Sequence, residues 1–404
     1  MSSTARIQSW LASDPIAITG SGCVSCAGTG VPALWAAIKA GRAAGQWENF
    51  SGTRLAVASA GVLPRHPLTG KVDRSVHMAL LAAAEAWSQA GAPGIEPEKV
   101  SVVAGTSRGP HDIWNATAAA VESGRRLLPR LVTAGTVAAL SGAIARHCHA
   151  TGPGCTVSAT CASGAAAIAA AADLLLLGRA EMVIAGGADA PLNAGILCGM
   201  ESAGVVGRHS DPSLACRPFD EARNGMLPAE GAAFLVMERL SHARARGAAV
   251  LGLLSGWAMA TEGEGRSGVP RDGHTLSHVM ETAMATAGLR PDQISYLNAH
   301  GTGTQLNDHA EAAALAATFP SPPPVSSTKA VTGHSLGASP AIEAVICLEA
   351  LRHQWLPGSV NTLAPAFPLP FVPPAGRAGD LRHTLSASLG FWGYHAALVI
   401  SSPP

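Results

Sequence analysis

The sequence predicts an α/β protein in which sheets and helices form layers. Short apolar runs, the length of buried strands, alternate with Ala-rich stretches of helical length throughout the 404 residues. A weak internal repeat supports the α/β prediction: a helix, a glycine–proline break and a strand over residues 74–104 recur over residues 274–298. The repeat predicts two related halves that meet near residues 240–255, which we divide as 1–245 and 246–404.

Eight strands and six helices are predicted. The strands are short apolar runs, and the helices are longer Ala-rich segments that end at Gly, Pro or polar residues. Gly178 is placed to close one helix as a left-handed cap. In chain order the strands are 16–19, 100–104, 182–185, 233–237, 250–255, 294–298, 385–388 and 397–400, and the helices are 31–40, 74–90, 162–177, 274–287, 308–317 and 336–352.

Charge excludes two classes of partner. The chain has 27 basic and 27 acidic residues, and charged residues make up only 13% of it. No basic field is available for nucleic acid or an anionic membrane, so we expect neither. Only Lys39, Lys71, Lys99 and Lys329 are lysines, so 23 of the 27 basic residues are arginine and each lysine is a candidate for a specific role.

We expect a cytoplasmic protein with no metal site. The longest apolar stretch, 165–177, contains Asp173 and is shorter than the roughly 20 residues of a membrane span. The first residues lack the basic and apolar regions of a secretory signal. Eight scattered cysteines suit reduced thiols, and Cys23-x-x-Cys26 has no second pair at zinc spacing.

The first chemical motif is Val157-Ser-Ala-Thr-Cys161-Ala-Ser-Gly, where an apolar run ends at a cysteine and a helix begins. The positive end of a helix dipole and its unpaired N–H groups favour a thiolate, and therefore a nucleophile. The alternative is a buried structural cysteine. Gly164 leaves room for a close backbone or ligand approach.

The second motif is Asn298-Ala-His300-Gly-Thr302-Gly-Thr304, a strand that runs into a glycine loop. The glycines allow the backbone to approach a ligand closely, and the two hydroxyls can bind an extended polar arm. A phosphate-binding loop is disfavoured because the lysine of a P-loop is absent at the required spacing.

The third motif, Lys329-Ala-Val-Thr-Gly-His334-Ser335-Leu-Gly, offers two interpretations. It places a rare lysine five residues before a histidine, and it also matches the Gly-x-Ser-x-Gly turn of serine hydrolases and acyltransferases. Asp380 with His383 or His395 could complete a triad around Ser335. However, the apolar run at 324–327 ends well before Ser335, and this interpretation leaves the other two motifs unexplained.

Together the motifs resemble the β-ketoacyl-acyl-carrier-protein synthases, the elongating condensing enzymes of the thiolase superfamily. A cysteine at a helix start and two histidines in separate glycine loops follow the family's order, and the likeness runs from Ile18-Thr-Gly-Ser-Gly to Gly390-Phe391. It also includes Gly186-Gly-Ala-Asp and Arg217-Pro-Phe-Asp. The resemblance implies a thiolase-like fold with two pseudo-duplicated halves in an α/β/α/β/α arrangement.

The resemblance also implies a role for each matching residue. Cys161 would carry the acyl group, and His300 and His334 would drive decarboxylation of a malonyl unit. Backbone N–H groups of Cys161 and Phe391 would bind the oxyanion. The remaining matches are Lys329 as the active-site lysine, Glu343 as its ionic partner, Asp308 and Glu311 as an acidic pair, and Thr302 and Thr304 as contacts of the phosphopantetheine arm.

The implied function is 3-oxoacyl-(acyl-carrier-protein) synthesis by decarboxylative Claisen condensation. Substrates would arrive on the phosphopantetheine arm of acyl carrier protein, with no cofactor of the enzyme's own. The pathway would make fatty acids or type II polyketide-like products, aryl polyenes among them. The resemblance further implies a homodimer, or a heterodimer with a related condensing subunit. Two alternatives stay open: a pocket-shaping or initiating subunit of such a heterodimer, and a hydrolase or acyltransferase that uses Ser335.

Two segments depart from the family. Where the family has Asn-Ser-Phe-Gly-Phe-Gly-Gly-Thr-Asn, residues 387–395 keep Phe391 but place Leu389, Trp392 and Tyr394 in the loop. This predicts a reshaped acyl entrance or a smaller aromatic-lined pocket, with a compensated packing change as the alternative. Residues 260–266 also lack the family's His-Met-Thr loop.

Arginines raise two further questions. Arg108 stands where the family has a small or apolar residue, so it either binds a polar or carboxylated acyl chain or extends to the surface; the surface position is slightly favoured. Carrier proteins are generally acidic, so a local arginine cluster should dock them. The candidates are Arg42, Arg65, Arg74, Arg125, Arg126 and Arg208.

Overall fold

The computed structural model describes residues 3–50, 52–91, 94–263 and 271–404. The strands are β1 (Ile16–Ser25), β2 (Gly28–Thr29), β3 (Gln46–Phe50), β4 (Thr53–Val57), β5 (Val100–Gly105), β6 (Gly154–Val157), β7 (Met182–Asp189), β8 (Gly231–Arg239), β9 (Gly252–Thr261), β10 (Tyr296–Asn298), β11 (Val325–Ser326), β12 (Trp355–Leu356), β13 (Arg377–Ala378), β14 (His383–Gly390) and β15 (Tyr394–Ser401). The helices are α1 (Ser3–Ser13), α2 (Val31–Ala40), α3 (Arg74–Ala90), α4 (His111–Glu122), α5 (Arg130–Ala134), α6 (Ala139–Cys148), α7 (Ser163–Leu176), α8 (Ala194–Ser202), α9 (Leu240–Ala245), α10 (His274–Thr286), α11 (Gln305–Thr318), α12 (Lys329–Thr332) and α13 (Ser339–His353).

The two halves repeat one sheet topology. The strand order is β6-β5-β7-β8-β1 in the first half and β11-β10-β14-β15-β9 in the second. In each half the first two pairings are parallel and the last two are antiparallel. Strands β1 and β9 join the two sheets through three residue pairs. The internal repeat in the sequence therefore corresponds to a structural duplication.

Helices separate and cover the two sheets. Helices α7 and α13 share one buried apolar cluster with residues from both sheets. Helices α3 and α6 pack with the first sheet in a second cluster, and α10 and α11 pack with the second sheet in a third. This gives the α/β/α/β/α layering that the resemblance implied. Small residues permit the close central contact: a Cβ at Gly164 would lie 2.9 Å from the carbonyl oxygen of Gly337.

All the predicted elements occur, with differences at their ends. Helices 31–40 and 74–90 have the predicted bounds, whereas the predicted strand 250–255 begins only at Gly252 and continues to Thr261. The predicted helix 336–352 is wrong at its start, because Leu336–Ala338 form a separate 3₁₀ turn before α13. Gly178 closes α7 with a φ of 64°, as expected.

Two predictions are not settled by the structure: the boundary between the two halves and the departure at residues 260–266. The boundary between residues 245 and 246 falls between the two sheet repeats and stays a prediction. Of the departing segment 260–266, residues 264–266 lie outside the described residues. None of the helices that the structure describes is long and apolar enough to cross a membrane.

Candidate active site

Cys161 lies at the junction of a tight loop and the central helix α7. Strand β6 ends four residues earlier, not at the cysteine, and Ala162 is the N-cap of α7. The preceding Thr160 has a left-handed backbone (φ 49°) that turns the chain toward the end of β14. There Gly390 is required, because a Cβ on it would lie 2.2 Å from the Thr160 Oγ1.

The expected thiolate at Cys161 does not fit the structure of the free protein. Burial raises the pKa of the Cys161 thiol to about 12, and the negative charge of Asp189 adds to the rise. Lys329, Arg108 and a hydrogen bond from the Phe391 backbone oppose this shift without cancelling it. Desolvation therefore outweighs the helix dipole, and the resting nucleophile is a thiol.

His300 is held by the acidic pair of α11. The backbone N–H groups of His300 and Gly301 each donate to one oxygen of the buried Glu311 carboxyl, both at 2.7 Å. Asp308 accepts from the N–H groups of Phe219 and Gly303. Burial raises the pKa of Glu311 to about 8, which these N–H donors partly offset. The pair thus anchors the glycine loop instead of facing a ligand.

Lys329 sets the tautomer of His300. Its fully buried ammonium forms an ion pair with Glu343, donates to the His300 carbonyl oxygen at 2.5 Å and lies 3.3 Å from His300 Nδ1. An ammonium has only donors, so Nδ1 must accept and the ring proton must be on Nε2. Burial lowers the pKa of His300 well below its usual value, and the Lys329 charge adds to this.

Ser339 is the hydrogen-bond partner of His334. The Ser339 Oγ lies 3.0 Å from His334 Nδ1 and accepts a hydrogen bond from the Ser335 backbone N–H at 2.9 Å. The Ser339 hydroxyl can donate to Nδ1 or accept from it, and when it donates the His334 proton is on Nε2. Burial chiefly, and Lys329 next, lower the pKa of His334 well below its usual value. Both imidazoles are neutral near pH 7.

These side chains meet in one cavity of about 350 Å³. The rings of His300 and His334 lie edge to face, with centroids 5.2 Å apart. Neither Nε2 has a hydrogen-bond partner within the described part of the chain. The lining also includes Cys161, Thr302, Thr304, Leu389 and Phe391. A thiol, two neutral imidazoles and two hydroxyls therefore face a common space.

Three residues expected at the acyl pocket or its entrance do not line this cavity: Trp392, Tyr394 and Arg108. Trp392 is 68% exposed and, with Tyr394, lines a separate cavity. The expectation of a smaller aromatic-lined pocket around Cys161 is therefore wrong, while a reshaped entrance and a compensated packing change stay predictions. Arg108 is partly buried, with a buried Nε, and lines two neighbouring cavities.

The sequence reasoning missed two positioning residues. Asp189 is fully buried and accepts from the backbone N–H groups of Ser107, Arg108 and Gly337. It thereby ties the turn after β5 to the loop that follows His334. Ser339 is the second. For Asp189 the only signal was its place in the Gly-Gly-Ala-Asp segment, since its partners are far away in the sequence.

The alternative site at Ser335 is not assembled. Its hydroxyl is buried and lies 3.2 Å from the Ser339 Oγ, while Asp380 is exposed. His383 contacts the Ser401 hydroxyl, and His395 pairs with Glu262 at 2.7 Å. Neither of these histidines, paired with a described acid, reaches Ser335, so the predicted triad fails on geometry.

Comparison with known proteins gives consistent matches. The sequence models of the β-ketoacyl synthase N-terminal and C-terminal domains match residues 65–243 and 251–363. The tetracenomycin polyketide synthase ketoacyl synthase alpha subunit of Streptomyces glaucescens is 31% identical over 96% of this chain and 97% of its own. The 3-oxoacyl-[acyl-carrier-protein] synthase 2 of Mycobacterium bovis is 33% identical over 77% of this chain and 76% of its own.

Solved structures agree with the sequence matches. The ishigamide ketosynthase/chain length factor superposes with a TM-score of 0.89 and 28% identity, covering 97% of this chain and 100% of that one.

Proposed function

The chain belongs to the β-ketoacyl synthase family, and from that premise we propose that it condenses an acyl group held on Cys161 with a malonyl unit held on acyl carrier protein. One observation carries the proposal. The Cys161 thiol and two neutral imidazoles, His300 and His334, share a single cavity. This is the arrangement that acyl transfer followed by decarboxylation requires.

In the first half-reaction the Cys161 sulfur attacks the carbonyl carbon of the acyl thioester. The carbon–sulfur bond to the carrier breaks, the acyl group stays on Cys161, and the proton of the Cys161 thiol ends on the departing carrier thiol. The Phe391 backbone N–H, which lowers the pKa of the Cys161 thiol, is placed to stabilise negative charge as the thiol ionises.

In the second half-reaction a malonyl carrier occupies the same cavity. The bond between the α-carbon of the malonyl group and its free carboxylate breaks, which releases CO₂ and leaves an enolate. The thioester oxygen of this enolate would accept hydrogen bonds from the Nε2–H groups of His300 and His334. The carbanion carbon attacks the acyl carbonyl on Cys161. The 3-oxoacyl carrier leaves with two more carbons, and Cys161 regains a proton from solvent. Neutral imidazoles suit this role, because they donate without first taking up a proton.

The phosphopantetheine arm would enter between the loop that carries Thr302 and Thr304 and residues 203–205, which follow α8. Thr302 and Thr304 hydroxyls lie 2.9 Å apart at this side of the cavity, with Asn224 also in the lining. Asn224 Oδ1 accepts from the Arg208 backbone, and the Arg208 side chain is 72% exposed. We include Arg208 as a docking contact for acidic carrier protein. Arg208 also pairs with Glu201 at 3.2 Å, but it stays largely exposed. Arg74 is excluded, because its side chain is only 33% exposed and donates two hydrogen bonds to the buried Glu230.

A second subunit belongs to the proposal. Helices α4 and α5, their linker and the turn after α5 expose a group of large apolar side chains, 42–75% exposed within the part of the chain that the structure describes. Such a surface is typical of an interface. The members are Trp114, Val121, Leu127, Leu128, Val132 and Val137. Homodimer and heterodimer are both compatible with this surface, and the pocket-shaping role stays the alternative function.

We also keep a cytoplasmic location and the absence of a resident cofactor within the proposal. All eight cysteines are free thiols, which suits a reducing compartment.

The test is to map the acyl group after incubation with an acyl carrier thioester. Peptide mass spectrometry should place the adduct on Cys161, and Cys161→Ala should abolish it while Ser335→Ala keeps it. An adduct on Ser335 would contradict the assignment. Absence of any adduct would favour the pocket-shaping alternative.

A further inference from the structure

A second cavity lies beyond Phe391 and contains two polar groups in an otherwise apolar lining. Its volume is about 380 Å³, and its apolar walls include Ile196, Met200 and Val205. Arg108 and His111 enter the same space from the turn after β5 and the start of α4. An arginine is an unexpected residue in such a lining unless something binds it.

This cavity adjoins the one that holds Cys161. Ala203, Val205 and Phe391 line both spaces, so these residues form the boundary between them. Cys161 itself packs in an apolar cluster with Ile196 and Met200. An acyl chain attached to the thiol would therefore run along these side chains, past Phe391, and reach Arg108 at its far end.

The polar atoms at that end have no partner. Arg108 Nε and His111 Nδ1 are buried, and neither has a hydrogen-bond partner within the described part of the chain. Two neighbouring carboxylates, Asp189 and Asp73, already have backbone partners. Asp189 accepts from the Arg108 backbone N–H, not from its side chain, and Asp73 accepts from the N–H groups of Ser75, Asp112 and Ile113.

The charge of Arg108 reaches the reaction centre. It lowers the pKa of the Cys161 thiol in opposition to burial, and it lowers the pKa of His111, for which burial is the larger cause. A partly buried guanidinium with unused donors recognises a carboxylate best, since its planar fork matches two oxygens. A neutral His111 can supply a further hydrogen bond.

We propose that Arg108 binds a carboxylate at the distal end of the acyl chain carried by Cys161, so that this synthase prefers acyl thioesters with a terminal carboxyl group. The inference rests on the proposed function, because it needs an acyl group on Cys161. It assigns Arg108 as the residue that selects the substrate and His111 as its neighbour in the same subsite.

The other occupant to be tested is an acidic residue of a second subunit. Arg108 and His111 also line a third cavity, together with Trp114 and Val137 of the exposed apolar surface. If a partner's carboxylate covers this opening, Arg108 would stabilise the assembly and would not select the substrate.

The experiment compares two carrier thioesters of equal chain length, octanoyl and 7-carboxyheptanoyl, in acylation of Cys161 by the full chain. The measured quantity is the ratio of their kcat/KM values. Wild type should favour the carboxylated chain, and Arg108→Met should lower the ratio roughly tenfold to a hundredfold, the effect of losing a charge-assisted pair. Arg108→Lys should restore part of it. Arg146→Met, a matched change at an exposed arginine on α6, should leave the ratio unchanged.

Each other outcome has a definite meaning. An equal ratio in wild type and Arg108→Met would overturn the inference while leaving the proposed function intact. A change in sedimentation that accompanies an unchanged ratio would assign Arg108 to the subunit interface and would also overturn it. Failure of both thioesters to acylate wild-type Cys161 would instead contradict the proposed function. Circular dichroism of each variant identifies any that do not fold.

Discussion

Replacing Lys329 by methionine should destabilise the fold by an amount that grows with pH. Methionine fills the space of the lysine stem but removes all three donors. The His300 carbonyl oxygen loses its 2.5 Å hydrogen bond, and Glu343, whose Oε2 already has no partner among the described residues, loses its ion pair. At pH 6, where the Glu343 carboxyl holds a proton, we expect a loss of about 1–3 kcal/mol from these unpaired buried groups.

The pH dependence follows from the pKa of Glu343. Burial raises it from 4.5 to about 7, and the Lys329 charge prevents a larger rise. Between pH 4.5 and about pH 7, the Glu343 carboxyl has lost its proton in the unfolded chain but keeps it in the folded chain. The free energy of unfolding therefore falls as pH rises through this window. In wild type the window ends near pH 7. Without the Lys329 charge the pKa of Glu343 in the folded chain is higher, so the window extends above pH 7. Between pH 7 and 8.5 the free energy of unfolding of the variant should therefore fall by about 2 kcal/mol more than that of wild type.

Denaturant unfolding at pH 6 and pH 8.5 measures both effects. Lys329→Met/Glu343→Gln should show no additional loss at pH 8.5, because it has no carboxyl to titrate. Lys99→Met is the matched control: this lysine forms exposed pairs with Glu96 and Glu181, so its loss should leave the difference in stability between the two pH values unchanged. An equal deficit for Lys329→Met at both pH values would refute the reasoning, as would an additional loss in the double variant.

Three further predictions concern the site and its entrance. Ser339→Ala leaves His334 Nδ1 and the Ser335 N–H without their partner, so stability should fall by about 1–3 kcal/mol in urea unfolding, and malonyl decarboxylation should lose kcat more than KM; a variant altered only in KM would contradict the tautomer assignment. Iodoacetamide should alkylate Cys161 about tenfold faster per pH unit from pH 7 to 9, because the pKa of its thiol is raised to about 12. Peptide mapping is needed to follow Cys161 alone, since Cys155 and Cys198 are exposed. A rate that reaches a plateau near pH 7 would mean that Cys161 is a free thiolate. Arg208→Glu should raise KM for malonyl carrier protein but not for a malonyl-pantetheine analogue, and equal effects on both would exclude a docking role.

The elements that could be predicted from sequence are those with local signals. Helix α3 begins after Asp73, whose side chain accepts from the Ser75 N–H, and ends at Gly91 with a φ of 55°. Both bounds were predicted, because capping residues act within one turn. The glycine loops that carry His300 and His334 are local in the same sense. The 3₁₀ turn at Leu336–Ala338 was missed, because contacts with distant segments decide where α13 begins.

The features that could not be predicted depend on contacts across the fold. Asp189 receives a hydrogen bond from Gly337, 148 residues away. The thiol state of Cys161 was misjudged for a related reason: a helix start is visible in the sequence, whereas the burial that raises the pKa is not. Trp392 was expected at the pocket or its entrance from the departure of residues 387–395 from the family's loop, whereas it is largely exposed, with a left-handed backbone.

The most direct test of the central claim is the intact mass of the carrier protein together with released CO₂ in one reaction. Acylated wild-type enzyme and malonyl carrier should yield a 3-oxoacyl carrier extended by two carbons, with one CO₂ for each product, and Cys161→Ala should form no extended product. Release of CO₂ without chain extension by the acylated wild-type enzyme, or extension by Cys161→Ala, would contradict the account.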